Sequence, residues 1–259
     1  MYQTKEKSIL FLDFDGTLWF GKIASGTVKA IKKVKELGNF IILDSGRSKG
    51  HMIPEALSEI NPDGFIYGSS HYEFNGKKLL CDVLSESELN AVCDVTEKYN
   101  LKMQFEGVKG NYITKADIPD GKLVTIKEMR EHYKEYPVTK ITFCGDSFFR
   151  ENDVDTINPL AVEELGKIFT MVRFPSYYEG FKRGYDKSTG MKFFEKYLDV
   201  KHKNTYGFGD SLNDLAMVKY AAHGVAIAGA PKELTDVAEY VTKEKETGVA
   251  EAIKKYFNV

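Results

Sequence analysis

Two short groups of polar residues in this chain have the composition of a reaction centre. The first, Asp13-Phe14-Asp15-Gly16-Thr17, directly follows the apolar run Ile9-Leu10-Phe11-Leu12. An apolar run without alternation is typical of a parallel strand that is covered on both faces. Because Asp13 and Asp15 are two residues apart, their carboxyl groups leave an extended strand on the same side. Such a pair can hold a metal ion or act as an acid and a base, although Asp and Gly are also common in ordinary turns.

The second group is Gly209-Asp210-Ser211-Leu212-Asn213-Asp214, which follows a strand predicted over 204–208. Asp210 stands at the end of that strand, whereas Asn213 and Asp214 fall in the first turn of a predicted helix. Backbone N–H groups and the helix dipole favour anions at such a turn. Helix capping would explain each residue alone. The presence of both groups in one chain favours a common site.

The elements around these groups alternate between strands and helices. Phe40-Ile41-Ile42-Leu43 repeats the apolar run and ends in Asp44-Ser45-Gly46-Arg47, so a second strand delivers a hydroxyl and a glycine to the same edge. In open α/β sheets, ligands bind in the crevice beyond the carboxyl ends of the strands. The alternation returns from residue 186 onward. The sequence therefore predicts an α/β fold whose Rossmann-like core has a mainly parallel sheet.

The middle of the chain has a different order of elements. Ser85 with Glu88, and Thr125 with Glu128, have the spacing of capping boxes that open helices running through Tyr99 and Tyr136. Asn158-Pro159 predicts a third helix start, and extended segments lie between the helices. This order is that of an α+β layer. We expect a core domain of residues 1–82 and 185–259, with an α+β domain of residues 83–184 inserted into it.

Composition excludes several classes of partner. The 259 residues have a formal net charge of -2 and a sequence pI of about 6.3, so no overall charge favours nucleic acid or an anionic membrane. The apolar run after residues 1–7 is too short for a signal peptide or a membrane span. Three cysteines without CxxC spacing fit reduced thiols. These features predict a soluble, cytoplasmic protein.

The chain closely resembles the Cof-type branch of the haloacid dehalogenase superfamily of phosphohydrolases. The resemblance covers essentially the whole length, and the insert at 83–184 resembles the larger α/β cap of that family. Two departures are mild: Ser45 stands where Thr is more usual, and Ala228-Gly229-Ala230 stands where an Asn-Ala pair is common. The four family motifs occur in order as Asp13-Phe14-Asp15-Gly16-Thr17, Ser45-Gly46-Arg47, Lys187 in Asp186-Lys187-Ser188-Thr189-Gly190-Met191, and Gly209-Asp210-Ser211-Leu212-Asn213-Asp214.

The acidic residues of these motifs predict a magnesium site. Asp13, Asp15, Asp210 and Asp214 in one crevice would repel one another unless a cation intervened. Oxygen ligands without His or Cys favour Mg²⁺ over zinc or copper. The resemblance implies that the carboxylates of Asp13 and Asp210 and the backbone carbonyl of Asp15 hold the ion. Asp214 is then a second-shell or water-mediated partner.

The same motifs predict covalent catalysis on a phosphate monoester. We expect Asp13 to attack the phosphorus and form an aspartyl-phosphate. Asp15 would protonate the leaving alkoxide and later deprotonate the attacking water. Ser45, Gly46 and Asn213 are expected to bind the phosphoryl oxygens.

Lys187 would supply positive charge to that phosphoryl group, opposite the metal. Arg47 has two open roles, substrate binding or bracing of the acids by a salt bridge. Tyr177-Tyr178 and Phe181-Lys182-Arg183 either contact the substrate or pack in the cap.

The resulting hypothesis is a Mg²⁺-dependent phosphatase for a small phosphorylated metabolite, with a sugar phosphate as the leading candidate. A sizeable cap disfavours protein substrates because it would exclude large partners and bulk water. A phosphotransferase or phosphomutase that passes the same phosphoryl group to another hydroxyl is an alternative. A catalytically silent phosphosugar sensor is a second one, although Asp13, Asp15, Lys187 and Asp210 are all retained. The sequence does not indicate an oligomeric state.

Overall fold

The chain forms two compact units, each assembled from separated parts of the sequence. The computed structural model describes residues 6–118 and 120–259. Residues 1–5, which are part of the segment 1–7 that precedes the first apolar run, lie outside the described residues. The predicted division placed its boundaries at 82/83 and 184/185 and kept residues 47–52 in the core. In the structure, the first unit comprises the chain up to Gly46, Ile53–Leu79 and Asp186–Val259, and the second comprises Arg47–Met52 and Leu80–Tyr185.

The described residues contain two sheets. The first has eight strands in the order β14-β13-β12-β1-β2-β3-β4-β5, and the second has six in the order β10-β11-β9-β6-β7-β8. The strands are β1 (Ile9–Leu12), β2 (Phe40–Ser45), β3 (Gly64–Tyr67), β4 (His71–Phe74), β5 (Lys77–Cys81), β6 (Lys102–Gly107), β7 (Asn111–Ile113), β8 (Lys122–Leu123), β9 (Val138–Cys144), β10 (Phe169–Arg173), β11 (Tyr178–Lys182), β12 (Thr205–Gly209), β13 (His223–Ala226) and β14 (Tyr240–Val241).

The helices are short and amphipathic. No helix within the described ranges combines the length and the apolar composition needed to cross a membrane. The α-helices are α1 (Ser25–Glu36), α2 (Pro54–Leu57), α3 (Glu86–Lys98), α4 (Ile126–Glu131), α5 (Pro159–Leu165), α6 (Lys187–Leu198), α7 (Leu215–Tyr220), α8 (Lys232–Thr235) and α9 (Gly248–Phe257).

The eight-stranded sheet of the first unit is parallel through six strands. Strand β1 lies between β2 and β12, with Leu12 paired with Leu43 on one side and with Phe208 on the other. All four residues of β1 are fully buried, which confirms a strand covered on both faces. The strand β4 runs antiparallel to β3, and Asn75 and Gly76 after it have positive φ angles of 47° and 73°, as a type I′ turn requires.

The predicted helix starts of the second unit are confirmed. Ser85 and Thr125 each form the expected capping box, and the Asn158 side chain caps α5. The predicted end of the second helix at Tyr136 is wrong. This helix ends at Glu131, because the backbone of His132 leaves the helical region with φ −120° and ψ 32°. A separate 3-10 turn, Tyr133–Glu135, follows it.

The six-stranded sheet of the second unit carries its hydrophobic core on one face. Alternate residues of its central strands, such as Phe105 and Phe143, pack into one buried cluster with residues of α3, α4 and α5. The opposite face of the same strands carries polar side chains that include Glu106 and Lys140. The core is therefore an α-on-β layer, as predicted for this part of the chain.

Candidate active site

The turn after β1 presents the first acidic group. The Phe14 carbonyl accepts hydrogen bonds from the N–H groups of Leu18 and Trp19 at 2.9 and 2.8 Å, and Gly16 N–H donates to the Trp19 carbonyl. The Phe14 and Trp19 rings stack at 5.7 Å between centroids. These contacts fix the backbone that carries Asp13, which is buried, and Asp15, which is exposed.

Gly16 allows the second acidic group to approach this turn. Its φ angle is +82°, and a Cβ atom at this position would lie 2.3 Å from the Asp210 carboxylate. A side chain here would therefore be strained and would also displace Asp210. The next residue, Thr17, contacts the same carboxylate. Its Oγ1 donates a 2.8 Å hydrogen bond to Asp210 Oδ1.

Three carboxylates of the predicted site converge on one another. One oxygen each from Asp13, Asp210 and Asp214 lies within 4.8 Å of the others. The Lys187 ammonium, which is 2% exposed, donates to Asp13 Oδ1 at 2.6 Å and to Asp214 Oδ1. Residues that are 174 positions apart in the chain thus form one buried ion pair.

The Asp214 carboxylate is held on both of its oxygens. Oδ2 accepts from the backbone N–H groups of Asp210 and Ser211 at 3.0 Å each, while Oδ1 accepts from Lys187. A carboxylate with all these partners is oriented by protein groups rather than available for a further ligand. The role predicted for Asp214, which is to act on the ion through water or through one of its ligands, stays a prediction.

Burial, with a further contribution from mutual repulsion, changes the pKa values of these carboxyl groups. Burial raises the pKa of Asp13 well above its usual range, and the Asp214 charge adds to that rise. Burial and Asp214 also raise the pKa of Asp210 to about 6. Burial lowers the pKa of Lys187, but the neighbouring Asp13 and Asp214 carboxylates more than offset this and hold it above its usual value. Lys187 is therefore charged at neutral pH.

Lys187 is placed by the start of α6. The helix begins at Lys187 itself. Asp186 is its N-cap and accepts from the Thr189 N–H at 3.0 Å and from the Ser188 hydroxyl at 2.7 Å. The cap fixes the first turn, so the ammonium enters the acidic cluster from a rigid element.

The remaining predicted residues lie at the ends of neighbouring strands. Ser45 is the last residue of β2 and is 1% exposed, and Gly46 follows it. Asn213 lies in the 3-10 turn between β12 and α7, where its Oδ1 accepts from the Ser211 hydroxyl at 2.7 Å. Because β2 and β12 both flank β1, these residues share the sheet edge that carries Asp13.

Asp44 is a fifth carboxyl group near the site, and it has no predicted role. It is completely buried, and neither carboxylate oxygen has a hydrogen-bond partner among residues 6–118 and 120–259. Extending the Leu12–Leu43 register by one residue places Asp44 beside Asp13. Burial raises the pKa of Asp44 well above its usual range, against the opposing influence of Lys187. The strand register is the only signal that could have identified it.

Arg47 and the cap aromatics have contacts within the second unit. Arg47 Nη1 donates to the His51 carbonyl at 3.0 Å. The Tyr178 ring stacks on Phe143 of the core cluster at 5.6 Å, and Lys140 lies 5.0 Å from the Phe181 ring. These contacts give the aromatic residues packing partners.

The donor set of the cluster fits a magnesium ion. All the donors are carboxylate oxygens, which Mg²⁺ prefers. Three carboxylates face one ammonium, so the cluster carries an excess of negative charge whenever all of them are ionised. Asp13, Asp210 and the backbone carbonyl of Asp15 stay the predicted ligands, because Asp214 is already engaged by Lys187 and two backbone N–H groups.

A parallel α/β sheet with a carboxylate cluster at the ends of β1 and β12 defines a hydrolase of the haloacid dehalogenase type. The model of the family described as haloacid dehalogenase-like hydrolase matches residues 10–253. The chain belongs to this family.

Similar proteins extend over the whole chain. YkrA of Bacillus subtilis, named as a phosphatase, is 26% identical over 96% of this chain and 98% of its own length. The 5-amino-6-(5-phospho-D-ribitylamino)uracil phosphatase YitU of the same organism is 24% identical over 97% and 98%. The structure of BT1666 from Bacteroides thetaiotaomicron, a phosphatase of the superfamily, superposes with a TM-score of 0.81 at 22% identity, covering 100% of this chain and 97% of that one. The predicted family, fold class and phosphatase class are confirmed.

Proposed function

We propose that the protein is a Mg²⁺-dependent phosphatase that hydrolyses a small phosphorylated metabolite through an aspartyl-phosphate. The observation that carries this proposal is the buried Lys187 ammonium, which bonds to Asp13 and Asp214 beside Asp210. This arrangement puts a fixed positive charge and a cation site around one strand-end carboxylate. Such a site can bind an anion and attack it.

The residues around the nucleophile compensate its charge. When bound, Mg²⁺ would keep Asp13 ionised and withdraw charge from the phosphoryl oxygens. Lys187 orients Asp13 through its 2.6 Å hydrogen bond. Asp214 holds Lys187 in turn, so the ammonium remains at the site while Asp13 reacts.

Asp13 acts as the nucleophile. A carboxylate oxygen of Asp13 forms a bond to phosphorus as the bond from phosphorus to the ester oxygen breaks. Asp15, whose side chain is exposed at the turn, donates a proton to the leaving alkoxide. In the second step Asp15 takes a proton from water, which attacks the phosphorus and releases Asp13.

The phosphoryl oxygens need donors that do not compete with the nucleophile. The Ser45 hydroxyl, the Gly46 N–H and the Asn213 amide are at the ends of strands that flank β1. These neutral donors orient the phosphoryl group, and Lys187 adds the charge that stabilises the transition state.

A sugar phosphate is the substrate class that we propose. The full-length relative YitU is named for a uracil that carries a phosphorylated ribityl chain, so the phosphate in that compound is attached to a polyol group. We assign residues 83–184, which make up most of the second unit, as the cap that selects the leaving group.

The variant Asp13→Asn tests the nucleophile. It should reduce turnover of p-nitrophenyl phosphate with Mg²⁺ by roughly 10³-fold or more, the scale on which loss of a covalent nucleophile acts. Asp236→Asn, which alters an exposed carboxylate paired with Lys232, is the matched control and should keep full activity. Retained activity in Asp13→Asn with unchanged thermal unfolding would rule out this mechanism.

A release assay over a panel of phosphorylated metabolites tests the substrate class. Values of kcat/KM should be highest for phosphorylated sugars and polyols and low for phosphopeptides. Adding an acceptor alcohol separates hydrolysis from phosphotransfer, because transfer would yield a new phosphate ester in place of inorganic phosphate. Highest values for phosphopeptides would contradict the proposal.

A further inference from the structure

The Asn213 side chain can bind a phosphoryl group with only one of its two ends. Its amide has an acceptor, the Oδ1 atom, and a donor group, Nδ2. The oxygens of an ionised phosphate are acceptors, so the Nδ2 group attracts them and the Oδ1 atom repels them. The role proposed above for Asn213 therefore requires that its amide be held in one of two orientations.

The Ser211 hydroxyl lies against the acceptor end of this amide. Its Oγ donates to Asn213 Oδ1 at 2.7 Å, and O–H···O hydrogen bonds in proteins are usually about 2.7–2.8 Å long. A reversed amide would place Nδ2 at this position, where an N–H···O hydrogen bond is usually about 2.9–3.0 Å long. The short distance therefore favours the orientation in which Ser211 holds Oδ1.

The Ser211 hydroxyl has a single proton, and a second acceptor lies near it. The distance from Ser211 Oγ to Asp214 Oδ2 is 3.3 Å, which is longer than a usual O–H···O hydrogen bond. The same carboxylate oxygen already accepts from the N–H groups of Asp210 and Ser211 at 3.0 Å each. Asn213 Oδ1 is the closer acceptor, so the hydroxyl donates its proton there.

Other contacts hold the turn around Ser211 without its hydroxyl. The Asp214 N–H donates to the Ser211 carbonyl at 3.1 Å, and the Ser211 N–H donates to Asp214 Oδ2. The other oxygen of Asp214 accepts from Lys187. A Cβ atom on Gly209 would lie 2.3 Å from the Asp214 Cβ atom, so the end of β12 packs closely on this side chain. The hydroxyl is therefore left with the orientation of Asn213 as its effect.

We propose that Ser211 is a positioning residue, which orients the Asn213 amide so that the Nδ2 group faces the bound phosphoryl group. This inference rests on the phosphate-binding role proposed above for Asn213. Asn213 touches the phosphoryl group, and Ser211 acts on it only through Asn213. Both residues, and all the groups that hold their turn, belong to the first unit.

Ser211→Ala is the main variant, and inorganic phosphate is the probe, with its Kd measured by calorimetry at one fixed concentration of Mg²⁺. Without the hydroxyl, the Asn213 amide adopts both orientations, and the Asp214 carboxylate favours the reversed one because it attracts Nδ2. The apparent affinity falls with the fraction of protein in the binding orientation, so we expect the Kd to rise roughly threefold to tenfold.

Two further serine variants control for the substitution itself. Ser58→Ala removes an exposed hydroxyl that donates to the Glu55 carbonyl in the same unit, and it should bind phosphate like the wild type. Ser211→Thr keeps the hydroxyl, and the extended backbone of Ser211, with φ −134° and ψ 174°, accepts a β-branched residue. It should restore most of the affinity. Equal Kd values in the wild type and Ser211→Ala, or no recovery in Ser211→Thr, would overturn the inference.

A double variant separates the positioning role from a purely structural one. Ser211→Ala added to Asn213→Ala should not weaken phosphate binding further, because no amide is left for the hydroxyl to orient. Residues that act through one another have such non-additive effects. An equal loss from Ser211→Ala with and without Asn213 would show that the hydroxyl acts on the turn itself, and this result would contradict the inference.

Asn213→Ala alone separates this inference from the proposed function. It should raise the phosphate Kd roughly tenfold to hundredfold, the scale of a hydrogen bond to a charged group. If Asn213→Ala weakens binding and Ser211→Ala does not, only the positioning role is wrong. If Asn213→Ala leaves the Kd unchanged, the phosphate-binding assignment fails and the positioning role fails with it.

Discussion

Asp13 and Lys187 show how a few buried charges determine the behaviour of this site. One ammonium is shared between Asp13 and Asp214, and Asp210 lies within the same cluster. Buried charges are tolerated only when they are paired and hydrogen-bonded. The site therefore combines an excess of carboxylates with a single cation, which is the condition for a strong metal site.

Asp44 gives a pH-dependent prediction at the same scale. The pKa of Asp44 is raised in the folded chain. Above about pH 4, the Asp44 carboxyl therefore keeps its proton in the folded state after it has lost it in the unfolded state. The stability that this group contributes falls as pH rises from about 4 through the raised pKa. The asparagine side chain in Asp44→Asn cannot ionise, so the variant does not lose stability in this way as pH rises. The stability difference, variant minus wild type, should increase from about pH 4 to about pH 8 by about 1.4 kcal/mol for each unit of raised pKa.

The measurement is thermal unfolding in metal-free buffer across that pH range. Asp236→Asn, which makes the same substitution at an exposed carboxylate, is measured beside it, and the pH-dependent difference should be larger for Asp44→Asn. A stability difference for Asp44→Asn that stays constant, or decreases with pH, would show that Asp44 is ionised in the folded protein.

Helix α6 carries the Lys187 ammonium, and the N-cap of the helix determines how firmly that ammonium is held. Asp186 accepts from the Thr189 N–H and from two hydroxyl groups in the first turn. Loss of an N-cap costs about 1 kcal/mol. Because Lys187 is the first residue of the helix, fraying of this turn would also release the ammonium from its two carboxylates.

We expect Asp186→Ala to lower the free energy of unfolding by about 1 kcal/mol and to reduce kcat/KM. Asp186→Asn keeps an acceptor for the Thr189 N–H and should retain most of both quantities. Urea unfolding and steady-state kinetics on the two variants measure these effects. Equal losses in the Asn and Ala variants would show that the charge of Asp186, rather than its capping bond, is what matters.

The elements were predictable where their signals are local. The capping boxes at Ser85 and Thr125 need only residues three positions apart, and the structure contains both. The end of the helix that begins after Thr125 was predicted too late, because apolar spacing continues past the point where the final turn tightens. At a helix end, α-helical, 3-10 and turn geometries compete, and the spacing of apolar residues does not show which of them forms.

At the scale of the whole molecule, both units are built from discontinuous parts of the chain. The segment Arg47–Met52 is the shortest of these parts and follows Ser45 and Gly46 directly.

The sequence by itself determined the fold class, the family and the four polar groups proposed to form the site. Each depends on patterns within a few residues, such as an apolar run followed directly by Asp13 and Asp15. Tertiary structure alone decided that Lys187 bonds to both Asp13 and Asp214, that Asp44 is buried without a hydrogen-bond partner among the described residues, and that residues 47–52 belong to the second unit. These features depend on strand register and on packing between distant parts of the chain, which local spacing does not encode.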